Sequence, residues 1–317
     1  MQRLRHIVIA GPTASGKSAF AMRVAKVARE RGLEPRIING DSMQVYADLS
    51  IITARPSEAD QADVPHHLFG HVDGAETYSV ARWLREVADH MRPSNGEGDP
   101  LTIFVGGTGM YLRALFEGIA DIPDIRPDVR QLVEGIVEQD QGVQGALWRA
   151  LADIDPTMAN RLETGDRQRL ARALMVRLST GRSLADWQSD QKSSLLHAND
   201  ASTKQLIIDW PRDQLYDRIN VRLDGMIDAG ALAEVERLHA RNLPPKKPVM
   251  KALGVPSLLA HLRGELSRED ALDDAKMRMR RFAKRQLTWL RHQFPDWQRI
   301  HADGDQSECW ITETIFQ

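Results

Sequence analysis

Short, solid apolar runs alternate with stretches carrying an apolar residue every three or four positions through the first third of the chain. The runs His6–Ala10, 36–39 and 101–105 have the length and composition of strands. From Lys17 onward Phe20, Val24, Val27 and Ala28 recur at helical spacing, and further helices are predicted at Val80–Met91 and 109–116. Strands joined by crossover helices build a parallel, doubly wound α/β sheet. The segment 92–100, Arg-Pro-Ser-Asn-Gly-Glu-Gly-Asp-Pro, is a surface loop by composition.

Beyond about Asp121 the rhythm changes. As far as Thr203 only the helical period remains: Val129, Leu132, Val133 and Ile136, then Leu147, Leu151 and Ile154, then Leu170, Leu174 and Leu178. A strand at 206–209 returns the chain to the sheet before a run of helices to the end. The last amphipathic stretch, 276–292, is expected to turn Met279, Phe282, Leu287 and Leu290 toward the core. The expected organisation is therefore a discontinuous core domain, 1–120 and 204–317, interrupted by an all-helical insertion domain, 121–203. No internal repeat is visible.

Composition changes this picture little. With 317 residues, 42% hydrophobic and 27% charged, the chain is long enough to bury a sizeable core. No apolar run approaches a membrane span, and Met1-Gln2-Arg3-Leu4-Arg5 leads into the first strand without a signal-like segment, so a cytoplasmic location is expected. Cys309 is the sole cysteine, which excludes an internal disulfide and a cysteine-rich zinc site. Charge placement says more than the net charge of -2. Between positions 276 and 292 lie Lys276, Arg278, Arg280, Arg281, Lys284, Arg285 and Arg291 with no acidic residue, and Phe282 and Trp289 are interleaved. A second run, 161–182, holds six arginines against Glu163 and Asp166. One such cluster fits a solvated helix face as well as a binding surface. Two of them, with Lys246, Lys247 and Lys251, point to a polyanionic partner.

The candidate chemistry sits at the strand ends. Gly11-Pro12-Thr13-Ala14-Ser15-Gly16-Lys17-Ser18 follows the first strand and opens the first helix, the context of a phosphate-binding loop. Its backbone N–H groups curl around phosphate oxygens, Lys17 adds positive charge, and the Ser18 hydroxyl is placed to ligate magnesium. The second strand ends in Asn39-Gly40-Asp41, and the third in Gly106-Gly107-Thr108-Gly109. Ligands of open α/β sheets bind outside the carboxyl ends of the strands, so Asp41 and Thr108 face the loop. Taken singly, Asp41 also fits a helix cap and the glycines a plain tight turn. No acidic residue directly follows 101–105, which disfavours an energy-coupling hydrolase. Asp209, before Trp210 and Pro211, reads as a strand-end cap. Kinases and transferases both remain compatible with these residues.

A longer series of motifs is more specific: the loop above, then Asp41-Ser42-Met43-Gln44-Val45-Tyr46, Thr53-Ala54-Arg55-Pro56, Pro65-His66-His67-Leu68, Gly106-Gly107-Thr108-Gly109-Met110-Tyr111 and Ala283-Lys284-Arg285-Gln286-Leu287-Thr288-Trp289-Leu290-Arg291. In this order, over nearly the whole chain, it closely resembles the bacterial tRNA dimethylallyltransferases, the tRNA isopentenyltransferase family. The resemblance implies a P-loop nucleotide-kinase-like core, a magnesium ion (Mg2+) and a monomeric enzyme. The implied reaction moves a dimethylallyl group from dimethylallyl diphosphate to the exocyclic N6 amine of the tRNA adenosine 3′ to the anticodon, releasing diphosphate. The loop, whose motif carries a nucleotide- or ATP-binding label but does not by itself say which phosphorylated molecule it holds, would then hold a prenyl diphosphate.

By the same resemblance Asp41 is the general base, Lys17 and Arg222 neutralise the diphosphate, and Thr108 lies beside the target base. Implied tRNA contacts are Asp41, Ser42, Met43, Gln44, Thr108, Arg130 and the stretch Gln168, Arg169, Leu170, Ala171, Arg172. Where the family has glycine, an aromatic and a basic residue, this chain reads Gly254-Val255-Pro256, and Lys251 is the nearest substitute for the missing charge. The rival reading is a small-molecule kinase in which Asp41 activates a hydroxyl and the insertion serves as a lid. A nucleic-acid-binding module that only senses nucleotide is a further alternative.

Overall fold

The computed structural model describes residues 4–92, 100–139, 145–190, 194–301 and 307–316. The chain divides into two compact units, residues 1–116 with 195–317 and residues 117–194. The segment 195–202 belongs with the first unit, where the Leu195 and Leu196 amides both donate to Leu115 O at 3.0 and 2.9 Å.

The first unit is built on a six-stranded sheet: β1 His6–Ala10, β2 Pro35–Asn39, β3 His66–His67, β4 Leu101–Gly106, β5 Thr203–Asp209 and β6 Gln298–His301, in the order β3-β2-β4-β1-β5-β6. Every neighbouring pair is parallel. The central strand β1 pairs with β4 and β5, with Ala10 opposite Gly106 and Ile207, so three strand ends lie side by side. The helices of this unit are α1 Lys17–Glu30, α2 Glu58–Asp63, α3 Val80–Met91 and α4 Gly109–Glu117 before the second unit, and α10 Arg212–Asp228, α11 Ala231–Ala240, α12 Val255–Leu262, α13 Arg268–Gln293 and α14 Glu308–Ile315 after it.

The α1 face of the sheet carries one hydrophobic core. Phe20, Val24, Val27 and Ala28 are fully buried against Ile7, Ile9, Ile103 and Ile208, and Ile311 and Ile315 of α14 close the layer. Two strands escape sequence periodicity. The two-residue β3 is too short to show one, and β6 has Ile300 as its sole apolar residue because it is an edge strand. Strand β5 is also longer than its apolar run, since Thr203, Lys204 and Gln205 pair with His6, Ile7 and Val8. Residues 93–99 of the expected surface loop lie outside the described residues.

The second unit is all-helical: α5 Pro127–Gln139, α6 Ala146–Ile154, α7 Pro156–Ala159, α8 Arg167–Thr180 and α9 Leu184–Ser189. Val129, Val133, Leu147, Leu151, Leu170, Leu174 and Val176 form its own core. The start of α8 is fixed by Asp166, whose side chain accepts from the Arg169 amide at 3.2 Å. Among the described residues no helix is long and apolar enough to cross a membrane.

Candidate active site

The loop between β1 and α1 is held open before any ligand arrives. Ala14 and Gly16 take positive φ values of 63° and 87°, which turns successive amides inward. Three side chains from distant elements brace it. Trp210 Nε1 donates to Ser15 O at 2.8 Å, Arg218 Nε to Ala14 O at 3.1 Å, and Arg218 lies over the Trp210 ring at 4.2 Å. Gln286 Oε1 accepts from the Thr13 amide at 2.9 Å. Inside the loop Lys17 Nζ donates to Pro12 O at 3.2 Å. The Ser15 hydroxyl is buried with no hydrogen-bond partner, whereas Ser18 is exposed. Buried hydroxyls are ordinarily satisfied, and a phosphate oxygen in the cradle would complete Ser15.

Asp41 is positioned by its backbone. The fully buried Asn39 accepts from the Asp41 amide at 2.7 Å and donates its Nδ2 to Asp41 O and Leu68 O, each at 2.9 Å. Trp83 Nε1 donates to Asn39 O at 2.7 Å, and the Trp83 ring stacks on Tyr111 at 4.5 Å. Asp41 Oδ1 accepts from the Met43 amide at 2.9 Å, so that oxygen is committed. Oδ2 has no hydrogen-bond donor among the described residues. Thr108 is tied to the same turn, accepting from the Ser42 amide at 3.0 Å. A side chain at Gly106 would overlap the backbone of Gly40, so the two strand ends pack without space between them.

Charge links these pieces. Burial lowers the Lys17 ammonium to about 8, Asp41 opposing the shift and Arg222 adding to it. Arg222 is likewise lowered by burial, with Asp41 raising it and Arg218 lowering it. Lys17, Asp41, Arg222 and Arg218 therefore form one interacting group. Two cations crowd around a single carboxylate, an arrangement that favours a polyanionic ligand. Beside Ser18 lies a cavity of about 170 Å³ lined by Ala19, Ala21, Met22, Ile37, Phe69 and Gln44. Gln44 is locked by Nε2, which donates to Thr53 O and Ala54 O at 2.9 Å each.

In the second unit, burial followed by the nearby Arg130 lowers the Arg172 guanidinium, which places the two arginines together. Gln168 and Arg169 are exposed on the same helix, whereas Leu170 and Ala171 are 0% and 8% exposed. Their side chains belong to the core, so on this stretch the exposed polar side chains are those of Gln168, Arg169 and Arg172.

A family model described as IPP transferase matches residues 44–293. A tRNA dimethylallyltransferase of Azorhizobium caulinodans is 50% identical over 297 residues, covering 94% of this chain and 92% of that one. The chain belongs to the IPP transferase family. A further relative so named, from Caulobacter sp. (strain K31), is 48% identical and covers 93% of this chain and 92% of its own length. Among solved structures, the full-length tRNA isopentenylpyrophosphate transferase of Bacillus halodurans is 31% identical with a TM-score of 0.64, covering 98% of this chain and 94% of that one. A eukaryotic dimethylallyltransferase acting on tRNA gives a TM-score of 0.77 at 28% identity, covering 98% and 76%. These likenesses agree with the P-loop-type α/β core expected from the sequence.

Family membership does not place every expected residue at the site. Lys251 ends a 3-10 turn, Pro248–Lys251, and is exposed. No hydrogen bond or ion pair among the described residues joins it to Lys17, Asp41 or Thr108. Val255, at the departure from the family pattern, is fully buried, and its side chain supplies packing. Asp209 caps its strand end by accepting from the Trp210 amide at 3.1 Å and also pairs with Arg299 at 3.2 Å. Sequence reasoning assigned no role to Asn39, Trp210 or Gln286. Their polar side chains next to site motifs were the available signal.

Proposed function

We propose that this protein transfers a dimethylallyl group from dimethylallyl diphosphate to the N6 amine of the tRNA adenosine 3′-adjacent to the anticodon. The observation that carries the reading is Asp41, with one carboxylate oxygen pinned by the Met43 amide and the other open, its charge acting on Lys17 of the phosphate loop and on Arg222. The adenine amine is a weak nucleophile because its lone pair is delocalised into the ring. Asp41 Oδ2 accepts a hydrogen bond from it and then the proton as the new C–N bond forms. The allylic C–O bond breaks and its electron pair leaves on the diphosphate. Lys17, Arg222, the loop amides and the Ser15 hydroxyl receive that charge. Thr108 holds the Ser42 amide and thereby the turn that presents Asp41.

The exposed Ser18 hydroxyl is the loop group that would hold Mg2+. No group of three or more His, Cys, Asp or Glu side chains suited to a metal occurs among the described residues. A magnesium ion would be held by Ser18 and would supply further neutralisation of the leaving group. The cavity beside Ser18, lined by Ala19, Ala21, Met22, Ile37 and Phe69 together with Gln44, Asp60 and His66, offers room for the five-carbon chain. The adenosine leaves its stack to reach Asp41, which costs less in an anticodon loop than in a duplex. Arg130, Arg169 and Arg172 supply phosphate contacts, and the enzyme works on cytoplasmic tRNA.

The test is transfer of labelled carbon from dimethylallyl diphosphate, with magnesium, into unmodified tRNA whose anticodon is followed by adenosine, with ATP as competing donor. Label in the tRNA is the expected result. ATP consumption without label would overturn the reading in favour of a kinase.

A further inference from the structure

Gln286 is the polar residue on the buried face of α13, whose other buried positions are Ala271, Ala275, Met279, Ala283 and Leu290. Its side chain is 8% exposed and both ends of its amide are used. Oε1 accepts from Thr13 N at 2.9 Å and Nε2 donates to Gly107 O at 2.8 Å. The amide orientation is forced, because the reverse would set oxygen against oxygen at Gly107 and donor against donor at Thr13. One side chain thus joins the phosphate loop to the turn that carries Thr108.

The surroundings leave this joint no slack. A Cβ on Gly107 would collide with Gln286 Nε2 and stand 2.7 Å from Gly11 O. One turn along α13, Trp289 packs on Gly109 so closely that a Cβ there would lie 2.5 Å from a ring carbon. With its amide occupied by Gln286, Thr13 lends no N–H to a bound diphosphate. Gln286 shapes the cradle without belonging to it.

We infer that Gln286 is a positioning residue that sets the distance between the leaving diphosphate and the acceptor amine, and so governs transfer and not binding. This rests on the transferase reading above. Misplacing reactants by about 1 Å costs on the order of 100-fold in rate, while contacts to either substrate stay in place.

The test is steady-state transfer, run well below each variant's melting temperature, with Gln286→Met and Gln286→Glu. The first keeps the length and loses both bonds; the second keeps the acceptor for Thr13 and loses the donor to Gly107. For Gln286→Met, kcat should fall about 100-fold while the KM for dimethylallyl diphosphate and the tRNA dissociation constant stay within about threefold, and Gln286→Glu, which sets a carboxylate oxygen against Gly107 O, should lower kcat at least as far. Gly109→Ala pushes Trp289 outward from the other side of the joint and should give the same kcat-only signature, so the joint is read even if Gln286→Met does not fold. An unchanged kcat, or a loss confined to KM, overturns the inference. A wild-type enzyme that moves no dimethylallyl group overturns the transferase reading itself, an outcome distinct from active wild type with unaffected variants.

Discussion

The two units put their polar residues to different uses. Around the phosphate loop, polar side chains reach across the sequence: Thr13 to Gln286, Ser15 to Trp210, Ala14 to Arg218, Ser42 to Thr108. In the helical unit some polar bonds are local, such as Arg169 to Asp166 and Arg182 to Asp190, and others tie one helix to another, as Arg126 to Ser179, Arg167 to Val137 O and Arg177 to Ile154 O, around an apolar core. A site that breaks a bond must hold reacting groups to fractions of an ångström, which takes rigid, many-sided bracing. A surface that grips a phosphate backbone works through charge, whose effect falls slowly with distance and tolerates mobile side chains. The difference teaches where geometry matters in this chain and where only charge does.

The largest effect is expected at the braced site. Asp41→Ala should lower kcat by roughly 10²- to 10⁴-fold, the range of a lost general base, with tRNA affinity nearly unchanged. A collapse of tRNA binding in that variant would make Asp41 a docking residue. Next comes packing in the helical unit. Leu151→Ala, at a fully buried position, should cost about 2–5 kcal/mol of that unit's stability in denaturant unfolding. A loss below 1 kcal/mol would mean that the core of this unit is far looser than its burial indicates.

A third expectation concerns pH. Burial lowers Lys17 to about 8, so its charge is complete below that pH and is lost above it. Diphosphate affinity then weakens as pH rises, and the KM for dimethylallyl diphosphate should increase by up to about tenfold per pH unit above 8. The sign for the ligand-free protein is opposite. A lysine with a depressed folded value binds fewer protons folded than unfolded between 8 and its ordinary value of 10.5, so the strain it imposes is relieved as pH rises through that window. A flat KM profile from pH 7 to 9.5 would remove Lys17 from the diphosphate site. The smallest effect belongs to the charge-only surface. Arg169→Ala with Arg172→Ala should reduce the salt slope of tRNA binding by about 1.4 to 1.8, and an unchanged slope would make the cluster a solvated face.

Much of the scaffold was legible because its signals are local. Phe20, Val24, Val27 and Ala28 announce the buried side of α1, and the strands β1, β2 and β4 are apolar because both faces of the sheet are covered. The C-terminal helix was legible only in part. Met279 and Leu290 are buried as expected, but Phe282 and Leu287 are half-exposed, and small alanines and Gln286 take the buried side instead. Close approach of α13 to the loop and its neighbouring turn leaves no room there for larger side chains, which periodicity alone does not register. Glu234 is a similar case. Buried on α11, it accepts from Ser50, Ile51 and Ile52 amides at 2.7 to 2.9 Å and so fixes the loop whose carbonyls hold Gln44.

From its amino acids alone, the chain determined a parallel α/β core, a phosphate cradle at the end of its first strand, and the identity of Asp41, Thr108 and Arg222 as candidates. The core, the cradle, Asp41 and Thr108 follow from short-range spacing and from strand ends that share one edge, whereas Arg222, on α10, is implied by the family resemblance alone. Only the tertiary structure decided that Lys17, Asp41 and Arg222 share one electrostatic field, that Leu170 and Ala171 serve a core, and that Gln286 stitches the loop to the Thr108 turn. Those facts depend on partners as far as 273 positions apart, and a hydrogen bond across that separation leaves no periodic trace in the sequence.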